Sequence, residues 1–263
     1  MQSKIGVTLV ALTLSVFSSQ SPAAIDASMQ HVQQAEVALF RAGADLFMHR
    51  GEGRTAEQAG YVERDLKALS QQLNALQQLP LSPLAQQAMA AVEQPQARFT
   101  EQVRQILSYA PNQADLPWEA NFEYSKAQYA LWLALQDVTG ALEQSHAGGL
   151  NEADKLLLKL PAEVQSLATR YIARAYIGDI ETPNEQQQFY ISQDIDSLAK
   201  SVNADLLKLQ LLRTSVDDQS KLKQIQLRWQ FIYGHLLDYS NNMTPLMVER
   251  HAADVAVRLL KLQ

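Results

Sequence analysis

One stretch of fifteen residues occurs twice in this chain, and the two copies limit the folds that the chain can adopt. YVERDLKALSQQLNA at Tyr61–Ala75 corresponds to YISQDIDSLAKSVNA at Tyr190–Ala204, 129 residues later. Five positions are identical and three more are similar in kind. Apolar positions in the first copy step by three or four residues, which is the spacing of one face of an α-helix. We therefore expect the same amphipathic helix at two places in the fold.

The correspondence continues on both sides of this helix. Arg41 matches Arg170 at the same offset, and Phe99 matches Trp229 after one inserted residue. A unit of this length exceeds the roughly 20–50 residues of a solenoid repeat, so each copy is predicted to be a small domain. The alternative is a chance resemblance between amphipathic helices. The predicted segments are a signal peptide at 1–24, a first helical repeat at 25–148 and a second at 149–263.

The first 24 residues have the pattern of a secretory signal peptide. Lys4 supplies positive charge, Ile5–Phe17 is a 13-residue apolar run, and the small residues Ser21 and Ala23 fit a cleavage site. The apolar run is shorter than the about 20 residues that a membrane-spanning helix needs. We therefore expect export to a bacterial periplasm, with no membrane span after cleavage. The alternative is an uncleaved anchor.

Charge and composition argue against several classes of function. The net charge is −6, whereas nucleic acids and anionic membranes bind basic surfaces, so neither is expected as a partner. The chain has no cysteine, and therefore no disulfide and no covalently attached c-type haem. Glycine and proline are few, at 10 and 9 residues, which favours helices.

Helical periodicity and helix-ending residues predict about eight helices and no strand. The predicted fold class is all-α, with two tandem four-helix bundles and antiparallel up-down connections. Thr55 and Ser82 have the positions of N-caps, and Pro95 and Pro161 are expected to break or kink helices. The predicted helices cover residues 27–50, 55–78, 83–110, 118–146, 162–178, 185–213, 220–239 and 245–263.

The usual sequence signatures of enzymes are missing from the chain. It has no phosphate-binding loop, no dinucleotide-binding glycine motif, no HExxH and no GxSxG. Its five histidines include no pair at a spacing of three or four. We therefore predict that the protein is not an enzyme and that it has no metal and no cofactor.

Arginines on the first helix of each repeat are the candidate ligand-binding groups. Arg41 lies beside the apolar stripe of its helix, and Arg170 and Arg174 are one turn apart among tyrosines. A guanidinium group inside a bundle binds a carboxylate or small oxyanion through paired hydrogen bonds. The structural alternative is an internal ion pair with Asp65 or Asp194. The predicted ligand-binding residues are Arg41, Tyr61, Arg170, Arg174 and Tyr190.

Two groups of aromatic residues, at 118–132 and 229–239, are predicted to lie in the core or at the seam between bundles. An exposed subset of them would instead mark a partner surface.

Two segments carry a resemblance to a known family. RAGADLFM at Arg41–Met48 and TRYIARAY at Thr169–Tyr176 each lie on a first helix that a helix-turn-helix follows. They resemble the periplasmic sensor module of nitrate sensor kinases and type IV pilus methyl-accepting transducers. That module is a four-helix bundle, and in the nitrate sensors an arginine of its first helix contacts the anion. The resemblance implies anion binding at Arg41, Arg170 or Arg174.

Two functions fit these patterns. The first is an exported periplasmic protein without catalytic activity that binds another protein, as an interaction or adaptor module. The alternative is a binding or sensory module for a small anion or other small molecule.

Overall fold

The computed structural model describes residues 25–109, 118–146, 149–177, 194–237 and 243–263. Every regular element within these ranges is an α-helix, so the predicted all-α class is confirmed. None of these helices is long and apolar enough to cross a membrane. The predicted signal peptide and Tyr190 lie outside the described residues. The helices are α1 Ala27–Gly51, α2 Ala56–Gln77, α3 Pro83–Ala90, α4 Glu93–Leu107, α5 Trp118–Ser145, α6 Glu152–Ile177, α7 Ile195–Leu212, α8 Val216–Leu237 and α9 Pro245–Leu260.

Side-chain caps begin α2 and α3 where the sequence predicts them. Thr55 and Ser82 each accept a hydrogen bond from the backbone N–H three residues later. Each bond satisfies an amide that has no carbonyl partner inside its helix. The helix predicted over 83–110 is divided into α3 and α4, with the break ending at Val92. Pro95 lies in the first turn of α4, where its missing N–H costs no helical hydrogen bond.

α6 continues through Pro161, so the separate helix predicted over 162–178 is wrong. Proline has no N–H, and the carbonyl of Leu157, four residues earlier, therefore loses its usual helical donor. Gln33 of α1 replaces that donor. Its Nε2 donates to the oxygen of Leu157 at 2.5 Å and to that of Leu158 at 2.9 Å. A buried side chain of the neighbouring helix thus satisfies the carbonyl group that the proline leaves open.

α8 begins at Val216, earlier than the predicted start at residue 220. Ser215 accepts a hydrogen bond from the N–H of Asp218 at 3.1 Å and acts as the cap. Asp217 and Asp218 therefore lie in the first turn, where negative charge is favoured by the helix dipole.

The helices of the second half form a closed ring. α6 packs against α7, α7 against α8, α8 against α9, and α9 returns to α6. In the first half, α1 packs against α2 and α5, while α5 packs against α3 and α4. α1 and α6 also pack against each other, and one continuous hydrophobic core extends through both halves. The division into two repeats stays a prediction.

Some positions that correspond in the two halves have the same burial and others do not. Phe99 and Trp229 are both fully buried. Asp65 is buried beside two arginines, whereas Asp194 is exposed and caps α7 by accepting a hydrogen bond from the N–H of Asp196. The matched aspartates therefore have different roles in the two halves.

Candidate functional site

A groove lies between α5 and α6, and α1 forms its floor. α1 packs against both of the other helices, and the cavity measures about 340 Å³. This volume lies within the range of sites for small organic ligands. α5 lines it with Trp132, Gln136, Thr139 and Glu143. These residues are three or four positions apart and therefore share one helix face.

The α6 wall of the groove carries charge of both signs. Its lining residues include Lys155, Lys159, Glu163 and Arg170. Lys159 Nζ lies 3.3 Å from Glu163 Oε1 and 3.0 Å from Asp205 Oδ2 on α7. The other carboxyl oxygen of Glu163, Oε2, is buried and has no hydrogen-bond partner among the described residues. Burial raises the pKa of Glu163.

The floor of the groove combines aromatic rings with one buried acid. Phe40 of α1 packs with Trp132 and Ala162, which brings all three helices together at this point. Tyr129 stacks on Trp132, with 5.8 Å between the ring centroids. Glu36 lies one turn before Phe40 on α1 and is 5% exposed. The cavity therefore has an apolar part and a polar part along one helix.

Glu36 is held by neutral donors. Its Oε1 accepts hydrogen bonds from Gln136 Nε2 at 2.6 Å and from Thr139 Oγ1 at 3.5 Å. Among the described residues, no lysine or arginine forms an ion pair with it. Burial raises the pKa of Glu36 to about 8, and the two hydrogen bonds offset part of that rise. At neutral pH this side chain consequently carries a proton.

The structure brings one of the five predicted ligand-binding residues to the groove. Arg170 lines the groove and also a small cavity beside Phe40 and Thr169. Arg174, one turn further along α6, does not line the groove. Tyr190 lies outside the described residues.

Arg41 and Tyr61 belong to a separate cluster between α1 and α2. Arg41 Nε lies 3.6 Å from Asp65 Oδ2, which is the ion pair of the structural alternative. Arg64 Nε lies 3.0 Å from Asp65 Oδ1, and its Nη2 lies 3.2 Å from Asp45 Oδ2. Burial and the neighbouring carboxyl of Asp65 raise the pKa of Asp45. Tyr61 is partly exposed and packs its ring against Arg64. This cluster links α1 to α2.

The predicted aromatic groups divide between core and surface. Tyr124 and Trp229 are fully buried, and Trp229 Nε1 donates to Asn203 Oδ1 at 3.1 Å. Tyr129 is 37% exposed and Phe231 is 54% exposed. Tyr124 and Trp229 therefore belong to the predicted core, whereas Tyr129 and Phe231 belong to the exposed subset that was the alternative.

In the part of the chain that the structure describes, no three His, Asp or Glu side chains are placed to hold a metal ion. Glu143 and His146 have the Glu-x-x-His spacing of metal-binding bundles. His146 Nδ1, however, lies 3.5 Å from Asp26 Oδ2 at the start of α1.

Sequence reasoning missed Glu36, although its surroundings contain a signal. It is the one acid among residues 27–44, and Val32, Leu39 and Phe40 surround it at helical spacings. An acid inside an apolar stripe is either buried with partners or placed for function. Its partners Gln136 and Thr139 lie about a hundred residues away, so the sequence alone does not identify them.

No protein-family model matches this chain, and no curated protein or solved structure matches it either. The resemblance to nitrate-sensor modules stays a prediction.

Proposed function

We propose that this chain is an exported periplasmic protein that binds a small organic ligand in the groove between α5 and α6, without catalysing a reaction. The observation that carries the proposal is the cavity of about 340 Å³, which combines aromatic rings with charged groups on three helices. Export rests on the signal-peptide pattern of residues 1–24.

The polar groups of the groove also favour a bound ligand. Acidic and basic side chains both line the groove, so a polar ligand meets hydrogen-bond acceptors and donors there. Most of the lining lies on helices that pack against the core, so the groove is formed before a ligand arrives. A preformed site binds more tightly because less conformational entropy is lost.

Replacing Ala162 by Leu is expected to abolish ligand binding. Ala162 is buried against Phe40 and Trp132, and a larger apolar side chain there occupies the cavity. Leucine and alanine are both good helix formers, so α6 is expected to stay intact. The measurement is a thermal-shift screen with amines, amino acids and small anions. A class that binds raises the melting temperature of the wild type by several degrees and leaves Ala162→Leu unchanged.

Ala97→Leu is the matched control, because Ala97 lies exposed on α4, away from the groove. It is expected to respond to ligands as the wild type does. An equal ligand-induced shift in Ala162→Leu and the wild type would place binding elsewhere. A screen without any shift would count against a small-ligand function.

A second candidate function, binding of another protein, is favoured by apolar side chains at the α7–α8 connection. Leu211 is 79% exposed and Val216 is 89% exposed. Exposed apolar side chains near each other are typical of partner surfaces. We expect a photo-crosslinking amino acid at position 211 or 216 to capture one protein in intact cells. The same amino acid at the exposed position 101 of α4 is the control, and equal capture at all three positions would contradict this function.

A further inference from the structure

We propose that the ligand of the groove is an organic ammonium ion, with Glu36 as its counter-charge and the rings of Phe40 and Trp132 against its carbon atoms. This inference rests on the proposed function, because it names the class of ligand for the same groove.

Glu36 has no positively charged partner among the described residues. The carboxyl group is buried on the floor of the cavity, and its two hydrogen-bond donors, Gln136 and Thr139, are neutral. A buried carboxyl group stays protonated unless a positive charge lies beside it and stabilises the carboxylate. The described residues supply no such charge to Glu36, whereas a cationic ligand in the cavity does.

Two aromatic side chains form the apolar surface of the cavity next to Glu36. Phe40 and Trp132 line the same cavity and pack together. Aromatic faces attract cations and also bury the carbon atoms attached to them, and tryptophan is the strongest of the aromatic side chains in this respect.

The other charges that line the groove do not replace the ligand. Lys159 is already shared between Glu163 and Asp205, and Lys155 is exposed at the rim. The charged or titratable groups that line the groove are Glu36 from α1, Glu143 from α5, and Lys155, Lys159, Glu163 and Arg170 from α6. Three of the six are acids and three are bases, so the two signs balance once Glu36 is ionised, and the buried floor is the place where the ammonium group is expected to lie.

Binding is expected to release a proton. The carboxyl group of Glu36 carries a proton in the empty groove at neutral pH. When an ammonium ion enters, Glu36 becomes a carboxylate and its proton passes to the solvent, while the ligand keeps its own protons. Affinity for an ammonium ion should therefore rise by about tenfold for each pH unit from pH 6 to 7 and level off near pH 8.

The test compares three probes of similar shape and different charge: benzylamine, benzyl alcohol and sodium benzoate. Titration calorimetry of the whole protein, in buffers of different ionisation heat, measures affinity and proton release together. Benzylamine is expected to bind most tightly and to release up to one proton. In Glu36→Gln, the affinity for benzylamine should fall by about tenfold or more, with no proton release, while that for benzyl alcohol stays within about twofold.

Glu101→Gln is the control for the loss of one acid, since Glu101 is exposed on α4. Tighter binding of benzoate, or benzylamine binding that is independent of pH and of Glu36→Gln, overturns the ammonium proposal. If such binding is still lost in Ala162→Leu, the groove keeps its proposed function and only the ligand class is wrong. If none of the three probes binds at millimolar concentration, both proposals fail.

Discussion

The free energy of unfolding is expected to fall as the pH rises from 6.5 to 8, and Glu36 is expected to cause a large part of this fall. The unfolded chain loses the Glu36 proton near pH 4.5, whereas the folded protein keeps it until about pH 8. Between these values the folded state binds more protons, so stability decreases with rising pH. The decrease is about 1 kcal/mol for each pH unit within this interval.

Other acids act in the same direction as Glu36. Burial raises the pKa of Asp45, Glu163 and Glu249. His49 acts in the opposite direction, because burial lowers the pKa of its imidazole from the ordinary value of 6.5. The comparison between Glu36→Gln and the wild type cancels the contribution of His49, because both proteins contain this residue.

Urea unfolding at several pH values between 6.5 and 8 measures this prediction. Glu36→Gln keeps an acceptor for Gln136 and Thr139 but does not titrate, so its stability should depend less steeply on pH than that of the wild type. The difference between the two proteins should grow by about 1 kcal/mol per pH unit. The exposed control Glu101→Gln should follow the wild type. Parallel curves for Glu36→Gln and the wild type would show that Glu36 is not protonated in the folded protein.

Replacing Gly43 by Ala is expected to destabilise the protein by about 1–3 kcal/mol, although alanine is the better helix former. Gly43 lies where α1 meets both walls of the groove. A Cβ atom there would lie 2.5 Å from Tyr124 Oη on α5, 2.7 Å from Gln128 Nε2 on α5 and 3.0 Å from Thr169 Cγ2 on α6. These contacts are too short, so the side chains of Tyr124 and Gln128 or the helix that carries them must shift.

Gly60→Ala is the matched substitution with the opposite expected sign. Gly60 lies inside α2, and an added Cβ atom meets no other atom within 4 Å. The loss of backbone freedom in the unfolded chain should therefore stabilise the protein by about 0.5–1 kcal/mol. Urea midpoints at constant pH compare the two variants. A Gly43→Ala protein as stable as Gly60→Ala would mean that α1, α5 and α6 do not approach so closely at this position.

Local patterns in the sequence predict much of the helical structure. The starts of α2 and α3 follow from Thr55 and Ser82, because a cap acts on amides within three residues of itself. The apolar face of α2 follows from its spacing, since 3.6 residues make one turn. The all-α class is determined at this level.

Contacts between residues that are distant in sequence decide the features that local sequence patterns do not predict. Pro161 was expected to interrupt or kink α6, and the helix is not interrupted. Gln33, more than a hundred residues earlier, donates to the carbonyl group of Leu157 that the proline leaves open. Asp65 and Asp194 match in sequence, yet one is buried between arginines and the other caps a helix. The surroundings of a side chain depend on which helices pack against it.

The sequence by itself determined that this protein is built from amphipathic helices, and it selected Arg170, which lines the groove. Tertiary structure alone decided that α1 would form a floor beneath α5 and α6, and that Glu36 would meet Gln136 and Thr139 there. The physical reason is that helix periodicity defines which face of a helix is apolar, whereas the contacts across that face come from packing between distant segments.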